Sequence, residues 1–271
     1  MALGTLEGKV AVVTGGSQGL GEAIARRFAS SGAAGLVICG RDQQKGQRVA
    51  DAIEALGCPT IFVTADLQKV ADARKVIRAA DEKFKRVDVL INAAGLTDRG
   101  TILDTTEERF DEIFAVNVRA PFFLIQEAVK IMRRERIHGS IVNIQSICAH
   151  GGQPYLSAYS SSKGALLTLT LNLANALLSH RIRVNGINVG WTLTPGEDRI
   201  QREHHGLPKD WYDQVIKSKP FGRLIMPDEI ARACLYLASD ESGLMTGANI
   251  DFDQIVYGPT DTPLSVEEQA A

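Results

Sequence analysis

The feature that most constrains this chain is a rhythm of short, unbroken apolar runs separated by stretches of helical periodicity. Val10–Val13, Leu36–Cys39, Thr60–Val63, Val87–Ile91, Ser140–Ile144, Ile182–Val189 and Ala248–Phe252 read as strands. Between the first two lies a segment in which Ala23, Ile24 and Phe28 share one helical face and Arg26 and Arg27 take the other, with Gly32 as its stop. A polar helix ending near Leu56 and a charged helix over 72–84 follow. Strands without polar alternation must be covered on both faces, which requires a parallel sheet with helices on either side. The chain is therefore predicted to be α/β, a doubly wound parallel sheet. With no Pro/Ser-rich linker or composition break, residues 1–271 are read as one domain. Residues 195–217 break the rhythm, being polar and irregular, and are expected to form a lid over a substrate, with a surface helix pair of no role as the alternative. Residues 258–271 read as a polar tail.

Composition removes several function classes. The 271 residues carry 30 Lys and Arg against 32 Asp and Glu, a formal charge of -2, without the basic excess of a dedicated nucleic-acid binder. The run Arg133-Arg134-Glu135-Arg136 is read as a solvated helix end. Cys39, Cys58, Cys148 and Cys234 have neither CxxC nor zinc-ligand spacing, so no metal is expected, and reduced, buried thiols suit a cytoplasmic location. The start, MALGTLEGKV, has no apolar core of a secretory signal. The charge-free stretch Gly164–His180 contains Thr168, Thr170, Asn172 and Asn175 and falls short of the ~20 apolar residues of a membrane span. It is predicted to be a helix buried by the sheet on one side and by a second subunit on the other.

The first strand runs into Thr14-Gly15-Gly16-Ser17-Gln18-Gly19-Leu20-Gly21, and a helix opens at once. A phosphate-bearing ligand needs close backbone approach and free N–H groups at a helix N-terminus. Gly15, Gly19 and Gly21 supply this by lacking Cβ, and the strand before and helix after are what a dinucleotide site requires. Further along, Tyr159 and Lys163 are four apart, hence on one helix face and about 6 Å apart along the axis. Tyrosine is a poor base with a pKa of about 10, and a fixed ammonium beside it favours the phenolate. Ser146 follows the strand Ile141-Val142-Asn143-Ile144 and precedes Tyr159 by thirteen residues. Asn117 sits in Asn117-Val118-Arg119-Ala120-Pro121-Phe122.

Taken in order, the glycine turn with Gly-x-x-x-Gly-x-Gly spacing, Asn117, Ser146 and Tyr159-x-x-x-Lys163 resemble the single-domain branch of the short-chain dehydrogenase/reductase family, from about Gly8 to Asp253. The resemblance implies a Rossmann-type fold and an oxidoreductase interconverting an alcohol and a carbonyl. It implies that Tyr159 exchanges the substrate proton, Ser146 orients the oxygen, Lys163 lowers the tyrosine pKa and holds the nicotinamide ribose, and Asn117 positions a water. For the cofactor it implies contacts at Gly15, Ser17, Gln18, Gly19 and Leu20; at Asp66 and Leu67 beside the adenine; at Asn92, Ala93 and Gly95; and at Tyr159, Lys163, Gly190, Thr192 and Thr194. Where an NAD site carries an acidic residue at the end of the second strand, this chain has Gly40-Arg41. The permanently charged fork of Arg41 favours NADP(H), while Asp42 leaves NAD(H) open.

The chain departs from the family pattern at Ala93, at Val189-Gly190 in place of Pro-Gly, and at Asp253-Gln254-Ile255. His150, Gln153, Tyr155, Trp191, His204, His205 and Arg99 are the expected substrate-facing residues. This polar set suggests a sugar, sugar acid or polyol rather than a steroid or acyl chain. A homotetramer or homodimer through the Tyr159–Lys163 helix is expected. The alternatives are a reductase of apolar ketones and a non-catalytic NADP-binding sensor or scaffold.

Overall fold

The computed structural model describes residues 4–256 apart from Gly152 and His204, so the polar tail 258–271 lies outside the described residues. Strands β1 (Val10–Thr14), β2 (Gly35–Gly40), β3 (Thr60–Thr64), β4 (Val89–Asn92), β5 (Ser140–Ser146), β6 (Arg183–Val189) and β7 (Asn249–Phe252) pair in parallel in the order β3-β2-β1-β4-β5-β6-β7. The helices are α1 (Gly19–Ser30), α2 (Gln43–Glu54), α3 (Val70–Phe84), α4 (Glu107–Phe114), α5 (Ala120–Arg134), α6 (Ser157–Ala176), α7 (Pro195–Glu203), α8 (Trp211–Val215) and α9 (Pro227–Ala238).

Alternate residues of each strand feed two cores, as the period of two requires. Ala11 and Val13 of β1, Leu36 and Ile38 of β2, and Val142 and Ile144 of β5 pack with α1, α2 and α9. Val12, Val37, Leu90 and Ile141 point the other way, toward α3 and α5 and the end of α6. This doubly wound, single-domain sheet is the predicted one. Its strand order reverses at β1, which pairs with β2 on one side and β4 on the other. The crevice above this switch point is where an open α/β sheet binds ligands.

Local chemistry sets the elements that frame that crevice. Asp42 caps α2 by accepting from the Lys45 N–H at 3.0 Å. Thr14 at the end of β1 accepts from the N–H groups of both Ala93 and Ala94 at 3.0 Å, fastening the end of β4 beside the glycine turn. Between α4 and α5 the helix widens into a π turn over Ala115–Arg119, which carries Asn117. Across the other core runs a buried polar chain. Asn92 donates to Asn143 (2.8 Å), Asn143 and Gln145 both donate to Thr170 Oγ1 (2.8 and 2.9 Å), and Thr170 donates to the Leu166 carbonyl (2.8 Å).

Several expectations need correcting. Residues 195–217 are less irregular than expected: they contain the helix pair α7 and α8, separated by the irregular stretch 205–210, and Ile216 opens a 3₁₀ turn. Trp211 of α8 stacks on Trp191, which precedes α7. Asp66 forms a turn by accepting from the Gln68 N–H at 3.1 Å. The helix end at Arg133–Arg136 is not merely solvated, because Arg134 grips Asp81 of α3 through two hydrogen bonds of 2.6 and 2.9 Å. Helix α6 buries Ala158, Ser162, Leu166, Thr170 and Ala174 but leaves Leu171 and Asn172 exposed. All four cysteines are free and buried, and burial pushes the Cys39 thiol up to about 12, which keeps it inert. Among the described residues no helix is long and apolar enough to cross a membrane, and no group of His, Cys, Asp or Glu could hold a metal ion.

Candidate active site

Strand β5 ends at Ser146, directly opposite Val189 of β6. Helix α6 starts nearby and carries Tyr159 and Lys163 on its buried face. The Lys163 ammonium lies 5.7 Å from the centre of the Tyr159 ring and donates to the Ile144 carbonyl at 2.8 Å, its one hydrogen bond among the described residues. The side chains of Ser146 and Thr97 lie close enough to the Tyr159 hydroxyl for each to favour its ionised form. Three of the four predicted groups therefore meet, and Thr97 joins them unforeseen.

The electrostatics differ from the expectation that Lys163 lowers the tyrosine. Burial pushes the Tyr159 phenol above its ordinary value, and Ser146 and Thr97 only partly oppose it. Lys163 is itself pulled down to about 8 by burial. The physical reason is burial: both groups are withdrawn from water, which disfavours the charged form of each.

Asn117 holds the loop after β4. Its Oδ1 accepts from the Leu96 N–H at 2.8 Å, and its Nδ2 donates to the Leu96 carbonyl and to Ser162 Oγ, both at 3.0 Å. At the far end of the same loop the Gly100 N–H donates to the Tyr155 carbonyl at 2.9 Å. Pinned at both ends, the loop carries Thr97 over Tyr159. No period or motif marks Thr97 in the sequence; the only signal available was its position just beyond Gly95.

The glycine turn lies at the β1 switch point. Gly15 and Gly19 have φ of +68° and +59°, a region that disfavours side chains, and a Cβ on Gly21 would strike the Gly15 carbonyl. Gln18 precedes α1 in extended conformation and gives it no side-chain cap, so the first N–H groups of the helix stay open. Ser17 packs against Gly40, and Leu20 packs on the core shared by α1 and α9. Arg41 is exposed and makes no ion pair or hydrogen bond among the described residues, whereas Asp42 is occupied in capping α2. Leu67 is buried and Asp66 half-buried at the end of β3. Asn92 is buried, with its Oδ1 unpartnered. Ala93 is held by Thr14. Gly95 is open, and a Cβ on it would stand 3.6 Å from Lys163 Nζ and 3.7 Å from Asn117 Oδ1. Beyond β6, the Gly190 N–H donates to the Phe252 carbonyl at 3.0 Å, and Thr192 donates to the Gly190 carbonyl at 3.0 Å. Thr194 accepts from the Glu197 N–H at 3.0 Å and faces Gly19 across the cleft. An elongated dinucleotide fits this cradle: open N–H groups at one end, a buried ammonium with N–H groups to spare at the other, and a side-chain-free gap at Gly95 between.

The family model described as enoyl-(acyl carrier protein) reductase matches residues 15–254. The chain belongs to the short-chain dehydrogenase/reductase family. It is 37% identical over 248 residues to an uncharacterized oxidoreductase of Thermotoga maritima, covering 91% of this chain and 96% of the relative. It is 36% identical over 251 residues to the NADP-dependent (R)-specific alcohol dehydrogenase of Lentilactobacillus kefiri, covering 92% and 96%. The crystal structure of L-sorbose reductase from Gluconobacter frateurii, complexed with NADPH and L-sorbose, superimposes with a TM-score of 0.87 at 29% identity, covering 93% of this chain and 97% of that one.

Around the core that makes this chain a short-chain dehydrogenase/reductase, the predicted substrate-facing residues divide. Trp191 leaves β6 two residues beyond Val189, stacks on Trp211 (centroids 6.0 Å apart, planes at 18°) and donates to Glu197 at 2.7 Å. Gln153 accepts from the buried Cys148 thiol at 3.6 Å. Arg99 lies over the Tyr155 ring at 5.7 Å and donates to His205 Nε2 at 3.1 Å, tying the Thr97 loop to the segment after α7. His150 instead pairs with Asp251 of β7 at 2.9 Å. His204 lies outside the described residues.

Proposed function

We propose that this oxidoreductase interconverts a secondary alcohol and a ketone on a small polyhydroxy substrate, with NADP(H) preferred. Tyr159 is assigned the proton exchange at the substrate oxygen, Ser146 its orientation, and Lys163 the binding of the nicotinamide ribose. Asn117 is assigned to the loop that carries Thr97, with positioning of a water near Lys163 as its second task. When bound, the dinucleotide supplies hydride to the carbonyl carbon or takes it from the alcohol. The chain's residues do the rest: Ser146 and Thr97 hold the phenol in place, Lys163 keeps a positive charge below it, and the loops bearing Gly95 and Trp191 exclude water. The contacts at Gly15, Ser17, Gln18, Gly19, Leu20, Asp66, Leu67, Asn92, Ala93, Gly95, Gly190, Thr192 and Thr194 are proposed cofactor contacts of the same reading.

The observation that carries it is the buried Tyr159 on the same helix face as the buried Lys163, whose ammonium lies 5.7 Å from the ring centre, beside Ser146 at the end of β5. Arg41, exposed beside the side-chain-free Gly40 and unpaired among the described residues, supports NADP(H), as does the NADPH in the sorbose reductase structure. That structure's L-sorbose supports a sugar or polyol. The test is nicotinamide reduction with NADP⁺ and NAD⁺ across sugars, sugar acids, polyols and simple alcohols. Turnover with NADP⁺ that Tyr159→Phe abolishes, while cofactor binding persists, is the expected result. Near-normal activity in that variant would overturn the assignment. We further propose a cytoplasmic enzyme that assembles as a homodimer or homotetramer through α6, with residues 195–217 as its lid.

A further inference from the structure

We propose that Glu197 selects the substrate: its carboxylate accepts a hydrogen bond from a second hydroxyl, near the reacting carbon, of a neutral polyhydroxy compound. This rests on the oxidoreductase reading above and deepens it.

Glu197 stands in the first turn of α7, with its N–H held by Thr194. One of its oxygens, Oε1, receives both Trp191 Nε1 at 2.7 Å and Gln201 Nε2 at 2.6 Å. The other, Oε2, has no partner among the described residues. Two donors converging on one oxygen fix the group and leave the second as an oriented, charged acceptor. Its address is the site itself. Trp191 follows Val189 by two residues, and Val189 is registered opposite Ser146, whose side chain lies close to the Tyr159 hydroxyl. The carboxylate is close enough to Tyr159 for its charge to raise the phenol.

The surroundings suit a sugar-like molecule. Trp191 is braced by its stack on Trp211, whose Nε1 donates to Asp198 at 2.9 Å. A carboxylate fixed by two donors on one oxygen offers the other as an acceptor for hydroxyls. A carboxylate in that position disfavours a substrate that is itself an acid. Two cations border the same mouth without ion pairs among the described residues: Lys219, 4.7 Å over Trp191, and Arg99. An anionic substrate is the competing outcome they represent.

The experiment uses the full chain with NADP⁺, comparing the wild type with Glu197→Gln. Substrates are the best of galactitol, D-sorbitol and xylitol, with 2-butanol as a single-hydroxyl reference and galactonate as the acid. Glutamine keeps an oxygen for Trp191 and Gln201, so the segment stays folded. The ratio of kcat/KM for polyol over 2-butanol should fall about 10- to 100-fold, the size of a hydrogen bond to a charged acceptor. The pH profile of alcohol oxidation should also move to lower pH in Glu197→Gln, because a negative charge that opposes the phenolate is gone. A merely structural role would move neither. An unchanged ratio, or galactonate preferred over every polyol, would overturn the proposal. The chain's two tryptophans are Trp191 and Trp211, so intrinsic fluorescence reads polyol binding without turnover. If no alcohol is oxidised, the oxidoreductase reading fails separately. Fluorescence then decides this one: polyol binding weakened at least about tenfold by Glu197→Gln upholds it, and no polyol response rejects it.

Discussion

Lys163 occupies a place where its charge costs the fold energy. Burial pulls it from its ordinary 10.5 to about 8, which at about 1.4 kcal/mol per pH unit amounts to roughly 3 kcal/mol. The unfolded chain holds this proton up to about pH 10.5 and the folded chain only to about 8, so the penalty is full below pH 8 and fades between the two. Lys163→Met should therefore lose turnover yet unfold at a higher temperature than wild type at pH 7, with the advantage shrinking as pH rises from 8 toward 10.5. Melting curves across that range check it. Arg41 carries the opposite kind of prediction. With no partner to lose among the described residues, Arg41→Ala should leave stability alone and raise KM for NADP⁺ about tenfold or more, the worth of a charge-assisted contact, with KM for NAD⁺ nearly unchanged. At this scale the sequence was legible wherever spacing carries information: Tyr159 and Lys163 share a face because they are four apart, and Ser146 closes an apolar strand. Thr97 and Glu197 were not legible. Each is an ordinary polar residue in an irregular or polar segment, and only the folded loops bring them to the phenol.

Elements in this molecule are fastened by small side chains at their ends. Thr14 accepts from two successive N–H groups beyond β4, so one hydroxyl sets the floor of the cleft. Thr14→Val should cost about 2 kcal/mol or more by orphaning both donors, and Thr14→Ser should stay near wild type in urea unfolding. Helix α2 lies flat on β3 because Gly46 has no Cβ to strike the Phe62 ring. Gly46→Ala should destabilise by about 1–3 kcal/mol, the usual cost of overpacking, although alanine is the better helix former. The strands could be read from apolar runs to within a residue or two. Helices α7 and α8 could be read only as one of two alternatives, because the stretch is polar and Trp191 meeting Trp211 leaves no apolar stripe in the sequence.

Over the whole molecule, two cores on opposite faces of one sheet leave α6 with a flank that neither covers. Leu171 there is 46% exposed, and Phe110 of α4 and Phe122 of α5 are similarly open. If α6 is the subunit contact, Leu171→Glu should shift the sedimentation coefficient to a smaller species while the purified protein stays folded by circular dichroism. The doubly wound sheet was legible before any coordinate, since unalternating strands leave few other ways to hide. The buried polar chain from Asn92 to Thr170 was invisible, because its members look like isolated amides in apolar runs. It has a consequence for ancestry. Thr170 spends its single proton on the Leu166 carbonyl and so can only accept from Asn143 and Gln145; Asn143, giving its amide protons to Thr170, receives Asn92 on its oxygen. The direction of every amide is thus dictated from one hydroxyl. Altering one position strands a buried donor, whereas exchanging the group together for apolar shapes can be nearly neutral. Heredity would treat these four residues as one character, kept whole or lost whole by the lineages that descend from this chain.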